Sequence, residues 1–352
     1  MILHIITGLR RGGAEVLLLN LLHKAKKSDL QYLLIAIGTE FPLEKEFLDR
    51  NIDLTLIKFR KNLLSFLPAL VPIIFYIRQK KIKILHVHMF HSLIIGVVLK
   101  LFFPYLKIIF TSHNVNFGNA QKKFQSDLRS LFIYLSKPFR TADVLFTNSV
   151  DKIYKKKKFI IPNGVVICNN DDVKKFEKFT FISVGRLEYQ KNHKAIIEIT
   201  KNLIGTGLHF DLIIVGEGVL RNELQDLINK LCLNDYVTLY GQSNDVNSLL
   251  RKSHCFLMPS LWEGMPISIL EAGMVKLPVI ATAVGSIPEI LTKDCGIVTN
   301  LNDFESKMKW ALSNYNSLIK YGENLREQIV NNYSIDRTLE LHESMYKLLL
   351  NS

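Results

Sequence analysis

The chain has 352 residues, which is enough for two domains of ordinary size. Hydrophobic residues make up 48% of it and charged residues 22%, a composition that excludes a disordered chain and predicts a globular protein. Residues 1–7 lack the basic segment of a secretory signal, and the apolar stretches 63–77 and 93–110 are interrupted by prolines or lysines. The sequence therefore predicts a cytoplasmic protein without a membrane span.

The four cysteines stand far apart, with none of the paired spacings of a disulfide framework or a zinc motif. Charge is divided unevenly along the chain. Residues 1–170 contain 26 Lys and Arg against 10 Asp and Glu, whereas residues 171–352 contain 19 against 22. The basic first half predicts a polyanionic partner: anionic lipid headgroups, a lipid-linked diphosphate or nucleic acid. A basic surface that only keeps the protein soluble is the alternative.

Strand-like apolar runs alternate with helical patterns along nearly the whole chain, which predicts an α/β protein with parallel sheets. In the first half, the predicted strands are Ile2–Ile6, Tyr32–Ile37, Leu54–Ile57, Ile82–Val87, Lys107–Thr111, Val144–Thr147 and Phe159–Ile161. The helical patterns between them lie near Ala14–Lys26, Leu43–Arg50, Phe66–Gln79, Leu93–Leu101 and Phe124–Ser136.

A turn at 162–164, followed by the polar segment Asn169–Lys178, predicts an interdomain hinge. The second half has its own predicted strands, at Phe179–Val184, Phe210–Val215, Val237–Tyr240, Cys255–Met258 and Val279–Thr282. We therefore predict two Rossmann-like domains, 1–165 and 166–334, and a final amphipathic helix from Ile335 to Leu350.

Glycines follow the first predicted strand and open a helix, in the string Gly12-Gly13-Ala14-Glu15. Glycine allows a backbone to come close to a phosphate or a sugar, and Arg10 and Arg11 add positive charge at the same point. The string is not the G-x-G-x-x-G fingerprint of dinucleotide-binding proteins, so a plain tight turn is the alternative.

Histidines stand at the ends of the fourth and fifth predicted strands. His86, His88 and His91 would suit a metal, but no cysteine or carboxylate set accompanies them in the sequence. We predict no metal there, and contact with an acceptor or packing at the strand end remain as alternatives. The string 111–114, TSHN, places His113 where an imidazole can bind a sugar hydroxyl or a phosphate.

Two cations, Arg186 and Lys191, follow the first strand of the second half. Arg and Lys at a strand end can stabilise the charge of a departing nucleoside diphosphate without a metal. The alternative is an ordinary loop with surface cations.

The segment 260–288, SLWEGMPISILEAGMVKLPVIATAVGSIP, follows an apolar strand. Pro266 is predicted as the first residue of a helix, and a helix N-terminus past the carboxyl end of a parallel strand can bind an anion. Glu263 in the loop and Glu271 in the helix could accept hydrogen bonds from sugar and ribose hydroxyls. Two solvated glutamates are the alternative.

Taken together, the strings at 12–15, 111–114, 185–192 and 260–288 resemble the signature of the family-4 retaining glycosyltransferases. The resemblance implies the GT-B fold, which is α/β with two Rossmann-like domains whose parallel sheets face each other across a cleft. It also implies that the last helix, about 335–352, packs back onto the first domain. A nucleotide-sugar donor, UDP- or GDP-linked, would bind the second domain.

The same resemblance assigns roles to the candidate residues. It implies that Arg186 and Lys191 hold the diphosphate, that Glu271 binds the ribose, and that Glu263 binds the sugar. The backbone of the following segment, Gly264, Met265, Pro266 and Ile267, would also contact the sugar, and the first domain would supply Gly12, Gly13 and His113. The catalytic residues would be His113, Glu263, Arg186 and Lys191, with no metal and no cofactor.

The predicted function is retaining, metal-independent hexosyl transfer to an acceptor hydroxyl, on a lipid-linked or cell-surface glycan precursor of bacterial polysaccharide biosynthesis. The basic first half adds the hypothesis of peripheral contact with the inner face of the cell membrane. The basic run Lys155–Lys158 has no aromatic residues interleaved within it, which argues against nucleic acid. A non-catalytic GT-B-like binding subunit and a nucleotide-sugar 2-epimerase are the alternatives.

Overall fold

The computed structural model describes residues 1–10, 12–59, 63–113, 123–147, 157–168, 173–243 and 245–352, without the side chains of 63–67 and 123–126. Some predicted features lie outside these residues: Arg11, Asn114, Lys155, Lys156 and the polar positions 169–172. The chain divides into two compact units, one formed by Met1–Gly164 with Ile335–Ser352 and the other by Val165–Ser334.

The first unit is built on a parallel sheet in the order β3-β2-β1-β4-β5-β6-β7. The strands are β1 Ile2–Thr7, β2 Tyr32–Gly38, β3 Leu54–Lys58, β4 Ile84–His88, β5 Lys107–Thr111, β6 Ala142–Leu145 and β7 Lys158–Ile160. The helices are α1 Gly13–Lys24, α2 Glu44–Asp49, α3 Leu63–Gln79, α4 Met89–Phe102, α5 Lys123–Leu135 and the last helix of the chain, α13 Ile335–Asn351.

Both faces of this sheet are covered, because its central strands carry apolar side chains on both sides. On one face, Leu3, Leu85 and Ile108 pack in a core with residues of α3 and α4. On the other face, a smaller core joins Ile2 and Ile84 to residues of α13, among them Met345 and Leu349.

The second unit has a parallel sheet in the order β10-β9-β8-β11-β12-β13. Its strands are β8 Thr180–Val184, β9 Asp211–Val215, β10 Val237–Gly241, β11 Cys255–Met258, β12 Val279–Thr282 and β13 Ile297–Thr299. Its helices are α6 His193–Gly205, α7 Arg221–Lys230, α8 Val246–Lys252, α9 Ile267–Met274, α10 Ile287–Ile290, α11 Phe304–Ser313 and α12 Tyr315–Asn332.

Each sheet reverses its strand order once, between β1 and β4 in the first unit and between β8 and β11 in the second. Ligands of open α/β sheets bind beyond the carboxyl ends of the strands at such a switch point. The predicted α/β class with two parallel Rossmann-like sheets is confirmed.

Three strands differ from the prediction by more than one residue at an end, or were not predicted at all. The fourth strand begins at Ile84, because Lys81 is left-handed (φ 50°) and the amide of Ile82 donates to Ile77 O at 3.2 Å, which closes the end of α3. The sixth strand begins at Ala142 rather than Val144. Asp143 can lie inside the sheet because Arg140 forms a buried ion pair with it at 2.8 Å and neutralises its carboxylate. The three-residue strand β13 was not predicted.

Candidate functional site

Arg186 lies in the loop after β8, at the switch point of the second sheet. The amide of Gly185 donates to Val215 O at 3.0 Å, which holds this loop against the turn after β9. In that turn Gly216 has a φ of 144°, and a Cβ there would lie 2.0 Å from Gly185 O. A glycine at 216 is therefore required for the loop that carries Arg186 to keep its position.

The side chain of Arg186 is 54% exposed and forms an ion pair with Glu188 at 2.8 Å. A guanidinium has five N–H donors, so a single bond to Glu188 leaves capacity for a second oxygen ligand. The arrangement suits recognition of a phosphate by a planar donor group.

Lys191 ends a single 3₁₀ turn, Tyr189–Lys191, that follows the same loop. The next residue, Asn192, is left-handed (φ 51°) and turns the chain into α6. A Cβ on Gly185 would lie 3.1 Å from the Lys191 side chain, so the glycine gives the lysine stem room to cross the end of β8.

Glu263 is the centre of a hydrogen-bonded group beyond β11. Lys191 Nζ lies 2.6 Å from its Oε1, Ser260 Oγ donates to the same oxygen at 2.7 Å, and Gln190 Nε2 donates to Oε2 at 3.3 Å. The Glu263 side chain is 6% exposed. A carboxylate offers about four lone-pair positions, so these three bonds leave room for one ligand hydroxyl.

The turn after β12 contacts the loop between Glu263 and α9 and holds it in position. The amide of Ser286 donates to Gly264 O at 3.0 Å. Gly285 has a φ of 57°, and a Cβ there would lie 2.3 Å from Glu263 O. The backbone on both sides of Gly264 is therefore held by direct contact.

The helix after this loop begins one residue later than predicted. Pro266 is its N-cap, with extended ψ (113°), and Ile267 is the first helical residue. Pro266 therefore stands just before the helix rather than as its first member, and its carbonyl accepts a bond from the amide of Ile269 at 3.3 Å. The side chains of Met265 and Ile267 are buried. The predicted contact of these two residues with a ligand would therefore be through their backbone.

Glu271 lies on α9, eight positions after Glu263, and keeps part of its side chain exposed. Burial raises the pKa of this carboxyl to about 7, because low-dielectric surroundings disfavour the charged form. At neutral pH Glu271 is therefore divided between a form that only accepts hydrogen bonds and a form that can also donate one.

The glycine pair of the first unit opens α1, with Gly12 as N-cap and Gly13 as the first helical residue. Gly12 is extended (φ −135°), so its glycine identity is not required by φ. A Cβ on Gly12 would lie 2.6 Å from an oxygen of the buried Glu15, so the end of that side chain would have to shift. Arg10 forms an exposed pair with Glu40 at 3.8 Å.

The histidines that lie together in the first unit differ from the predicted set. His86 and His88 are buried, and His88 Nδ1 lies 3.1 Å from His113 Nε2. His91 instead stands edge-on to the ring of Phe90, while His4 joins the group, with its Nδ1 2.9 Å from His88 Nε2.

Burial lowers the pKa of His4 to about 3 and that of His113 to about 4, so both imidazoles are neutral at physiological pH. Nitrogens of His4, His86 and His88 all lie within 4.8 Å of one another. In the part of the chain that the structure describes, these three side chains are the group that could hold a metal ion.

Four residues that contact the predicted site residues were not predicted from the sequence: Ser260 and Gln190 beside Glu263, His4 beside His88, and Tyr346, whose hydroxyl lies 2.6 Å from His86 Nδ1. Gln190 precedes Lys191 and Ser260 lies three positions before Glu263, and their polar groups near predicted residues are the signal that could have identified them. His4 lies inside an otherwise apolar strand, where its parallel partner in β4 is His86.

Two family models match the chain in succession. "Glycosyltransferase Family 4" matches residues 11–167 and "Glycosyl transferases group 1" matches residues 169–328.

Curated relatives agree with these models. The chain is 28% identical to the UDP-Gal:alpha-D-GlcNAc-diphosphoundecaprenol alpha-1,3-galactosyltransferase of Escherichia coli, over 84% of this chain and 81% of that protein. It is 32% identical to an uncharacterized glycosyltransferase of Methanocaldococcus jannaschii, where the match spans 54% of each chain, about half the length of that relative. A putative glycosyltransferase of Bacillus subtilis, EpsF, is 24% identical over 88% of this chain and 85% of its own length.

Solved structures share the fold at low sequence identity. The Anabaena protein HepE, in complex with UDP and glucose, matches with a TM-score of 0.84 at 15% identity, over 98% of this chain and 99% of that one. The lipopolysaccharide outer core galactosyltransferase WaaB matches with a TM-score of 0.73 at 16% identity, over 99% of both chains.

Among the described residues, none of the helices is long and apolar enough to cross a membrane.

The two family models, which together extend over residues 11–167 and 169–328, and the fold shared with solved glycosyltransferases lead to one conclusion. The chain belongs to Glycosyltransferase Family 4, whose members have the GT-B fold.

Proposed function

We propose that the protein transfers a hexosyl group from a UDP-sugar to an acceptor hydroxyl, with retention at the anomeric carbon. The observation that carries the proposal is the contact between Lys191 and Glu263 at the switch point of the second sheet. A cation suited to a diphosphate and a carboxylate suited to sugar hydroxyls stand 2.6 Å apart there, on loops that glycines hold in position.

The ammonium of Lys191 has three donors, so it can keep its bond to Glu263 and also donate to a diphosphate oxygen. Arg186 lies on the preceding loop and adds a second cation. As the bond between the anomeric carbon and the diphosphate oxygen breaks, negative charge builds on the leaving group, and fixed cations stabilise that charge. This is the role that a divalent metal has in other transferases, and its assignment to Arg186 and Lys191 makes the reaction metal-independent.

The proposed retention comes from attack on the face that the diphosphate leaves, without a covalent intermediate on Glu263. Its carboxylate is engaged by Lys191, Ser260 and Gln190, which suits a group that accepts hydrogen bonds better than a nucleophile. In the proposed step, the acceptor oxygen attacks from the face that the diphosphate leaves. The acceptor proton passes to the departing diphosphate oxygen, so that one C–O bond forms as another breaks.

We propose a UDP-sugar as the donor because the names of one curated relative and one solved structure of the same fold both contain UDP. The relative from Escherichia coli is named for UDP-Gal, and HepE was solved with UDP and glucose. The acceptor proposal, a lipid-linked glycan precursor of polysaccharide assembly, rests on that same Escherichia coli relative, whose name gives a diphosphoundecaprenol acceptor.

Exposed apolar side chains of the first unit support contact with a membrane surface. Phe75 on α3 and Leu101 on α4 are 66% and 65% exposed, and Leu131 on α5 is 52% exposed. Arg78 lies over the ring of Phe103, which places α3 beside the end of α4, and the rings of Phe90 and Phe132 place α5 beside the start of α4.

Arg78, Lys100 and Arg129 lie within three positions of these side chains in the sequence, and residues 1–170 carry the excess of positive charge. Apolar side chains among cations are typical of proteins that lie on anionic bilayers. We therefore propose that the protein works at the membrane surface.

Binding of nucleotides tests the proposed donor site. Purified protein is titrated with UDP, GDP and UDP-sugars by calorimetry in the presence of EDTA, with Lys191→Ala beside it. The matched control is Lys194→Ala, which removes an exposed lysine three positions away that pairs with Glu198 on α6.

We expect UDP to bind wild type and Lys194→Ala alike. Lys191→Ala should bind it about tenfold to a hundredfold more weakly, since a hydrogen bond to a charged group contributes about 1.5–3 kcal/mol. If no nucleotide binds the folded wild type, the donor assignment is wrong and the non-catalytic binding subunit becomes the better interpretation.

A further inference from the structure

A continuous run of hydrogen bonds crosses the first unit. It joins six side chains, here called the histidine chain, from Thr111 at one end to His113 at the other. The successive contacts are Thr111 Oγ1 to His86 Nε2 (2.6 Å), His86 Nδ1 to Tyr346 Oη (2.6 Å), Tyr346 Oη to His4 Nε2 (3.4 Å), His4 Nδ1 to His88 Nε2 (2.9 Å) and His88 Nδ1 to His113 Nε2 (3.1 Å).

The fold brings these groups together from four elements. His4 on β1 is the parallel partner of His86 on β4, so the two rings stand side by side on one face of the sheet. His88 lies two residues further along β4 on the same face, because strand side chains alternate. Helix α13 covers this face and inserts the hydroxyl of Tyr346 between His86 and His4.

The four imidazoles of the histidine chain are neutral at physiological pH. Burial lowers the pKa of His86 and of His88 well below its usual value, as it does for His4 and His113. A neutral imidazole carries one N–H and one lone pair. Each bond along the histidine chain therefore needs one partner to donate and the other to accept.

This condition couples the four rings. If Thr111 donates to His86, then each ring in turn donates through Nδ1, and all four histidines are Nδ1–H tautomers. If Thr111 accepts, all four are Nε2–H tautomers. A mixture among His4, His88 and His113 would set two N–H groups or two lone pairs against each other. A different tautomer at His86 alone would make Tyr346 either accept from both His86 and His4, which leaves its buried O–H without a partner within the histidine chain, or face a lone pair of each ring with a single O–H to donate.

We propose that the histidine chain holds His4, His86, His88 and His113 in one common tautomer and thereby decides what His113 offers a ligand. In the Nδ1–H arrangement, His113 presents a donor at Nδ1, and in the Nε2–H arrangement it presents a lone pair. His4, His86, His88 and Tyr346 are thus positioning residues for His113. That its ligand is a nucleotide-sugar rests on the function proposed above.

The distances favour hydrogen bonds over a metal at this place. A tetrahedral zinc ion with nitrogen ligands at about 2.0–2.1 Å keeps those nitrogens roughly 3.3 Å apart. The nitrogens of His4 and His88 lie 2.9 Å apart, which is the length of an N–H···N hydrogen bond.

The tautomers can be measured directly, without a nucleotide. Protein labelled with ¹⁵N in the imidazole rings is examined by long-range ¹H–¹⁵N correlation, which separates the Nδ1–H and Nε2–H tautomers. Signals are assigned by single His→Asn variants. His342 serves as an internal reference, because its Nδ1 lies 2.8 Å from the carbonyl of Thr338 and must carry the proton to bond with it.

The expected result is that His4, His86, His88 and His113 show the same tautomer. A mixed set in the wild type would overturn the proposal. So would a metal bound at a one-to-one ratio in the protein as purified, if its removal by a chelator shifts the signals of these rings.

Tyr346→Phe breaks the chain while it keeps the ring that packs in the core. The remainder, His4, His88 and His113, then loses its link to Thr111 and is expected to populate both tautomers. Tyr32→Phe is the matched control, because the Tyr32 ring packs 6.1 Å from that of Tyr346 but its hydroxyl is not a member of the chain. Unchanged His113 signals in Tyr346→Phe would contradict the proposal.

Hydrolysis of a UDP-sugar without acceptor gives a second readout. Tyr346→Phe should lower kcat in proportion to the fraction of molecules that leave the wild-type tautomer, about twofold for an even mixture, with KM for the donor unchanged, since only molecules with His113 in the wild-type tautomer make its hydrogen bond to the reacting sugar. Tyr32→Phe should change neither. If no UDP-sugar is bound or hydrolysed, the proposed function fails, while the tautomer measurement still decides the inference on the histidine chain.

Discussion

Lys191 Nζ lies 2.6 Å from Glu263 Oε1, although the two residues are separated by 72 positions in the sequence. Their side chains are 15% and 6% exposed, so the ion pair is largely removed from water. Two loops of the second unit, one after β8 and one after β11, are thereby tied together at the switch point of the sheet.

Removal of one partner of this pair should cost more than removal of both. Lys191→Met leaves the carboxylate of Glu263 buried with only neutral donors, and we expect a loss of about 2–4 kcal/mol in the free energy of unfolding. The double variant Lys191→Met/Glu263→Gln should lose less, because an amide needs no counter-charge. Denaturant unfolding of the single and double variants gives the coupling energy, and losses that simply add would show that the pair is not coupled.

Glu271→Gln should stabilise the protein at alkaline pH. The folded-state pKa of Glu271 is about 7, above its usual 4.5, so the folded state binds the proton more tightly than the unfolded state. Its contribution to stability is full below pH 4.5 and is lost as pH rises to 7. We expect Glu271→Gln to remain within about 0.5 kcal/mol of wild type at pH 4.5 and to exceed it by roughly 1–3 kcal/mol at pH 8. Equal stabilities at pH 8 would contradict the raised pKa.

The same pKa predicts a pH-dependent affinity for UDP. Ribose hydroxyls donate to an ionised carboxylate, so binding at Glu271 should strengthen as pH rises through 7 and the carboxyl ionises. We expect the Kd of wild type to fall about tenfold from pH 6 to pH 8. Calorimetry at several pH values checks this, and Glu271→Gln should bind more weakly at pH 8 and lose most of the pH dependence.

Much of the fold could be predicted from the sequence because strand and helix periods are local properties. The ends of β5 and β11 match the prediction, since each contains an apolar run bounded by polar residues or a proline. The start of β6 could not be predicted in this way. An aspartate is typical of a loop, and the sequence does not show that Arg140, three positions before Asp143, neutralises it inside the sheet.

The candidate site could be predicted as a set of residues but not as a set of contacts. The resemblance pointed to Lys191 and Glu263 for different parts of a ligand, and no local pattern shows that each is the other's partner. The histidine chain was missed for the same reason. Its links join residues up to 342 positions apart, between His4 and Tyr346, and such pairs are brought together only by the sheet and the last helix.

Gly285→Ala should disturb the loop that carries Glu263 by more than the positive φ of Gly285 alone explains. Gly285 and Gly207 both have positive φ, 57° and 85°, but a Cβ on Gly207 would meet nothing within 4 Å, whereas one on Gly285 would lie 2.3 Å from Glu263 O. We expect Gly207→Ala to cost about 1–2 kcal/mol and Gly285→Ala at least 3. Thermal unfolding and calorimetry with UDP distinguish the two, and equal costs would show that the contact with the Glu263 backbone is not limiting.

Leu101→Glu should weaken binding to anionic vesicles if α3, α4 and α5 face the membrane. Leu101 is 65% exposed near the end of α4, next to Lys100 in the sequence, and a glutamate there would remove apolar contact and add repulsion from the lipid. Leu348→Glu is the matched control, since Leu348 is 55% exposed on α13 of the same unit. In co-sedimentation with vesicles that contain phosphatidylserine at low salt, we expect Leu348→Glu to bind like wild type and Leu101→Glu to bind at least about fivefold less. Equal losses in both variants would assign the effect to charge in general, and no sedimentation of the wild type would remove the membrane from the proposed function.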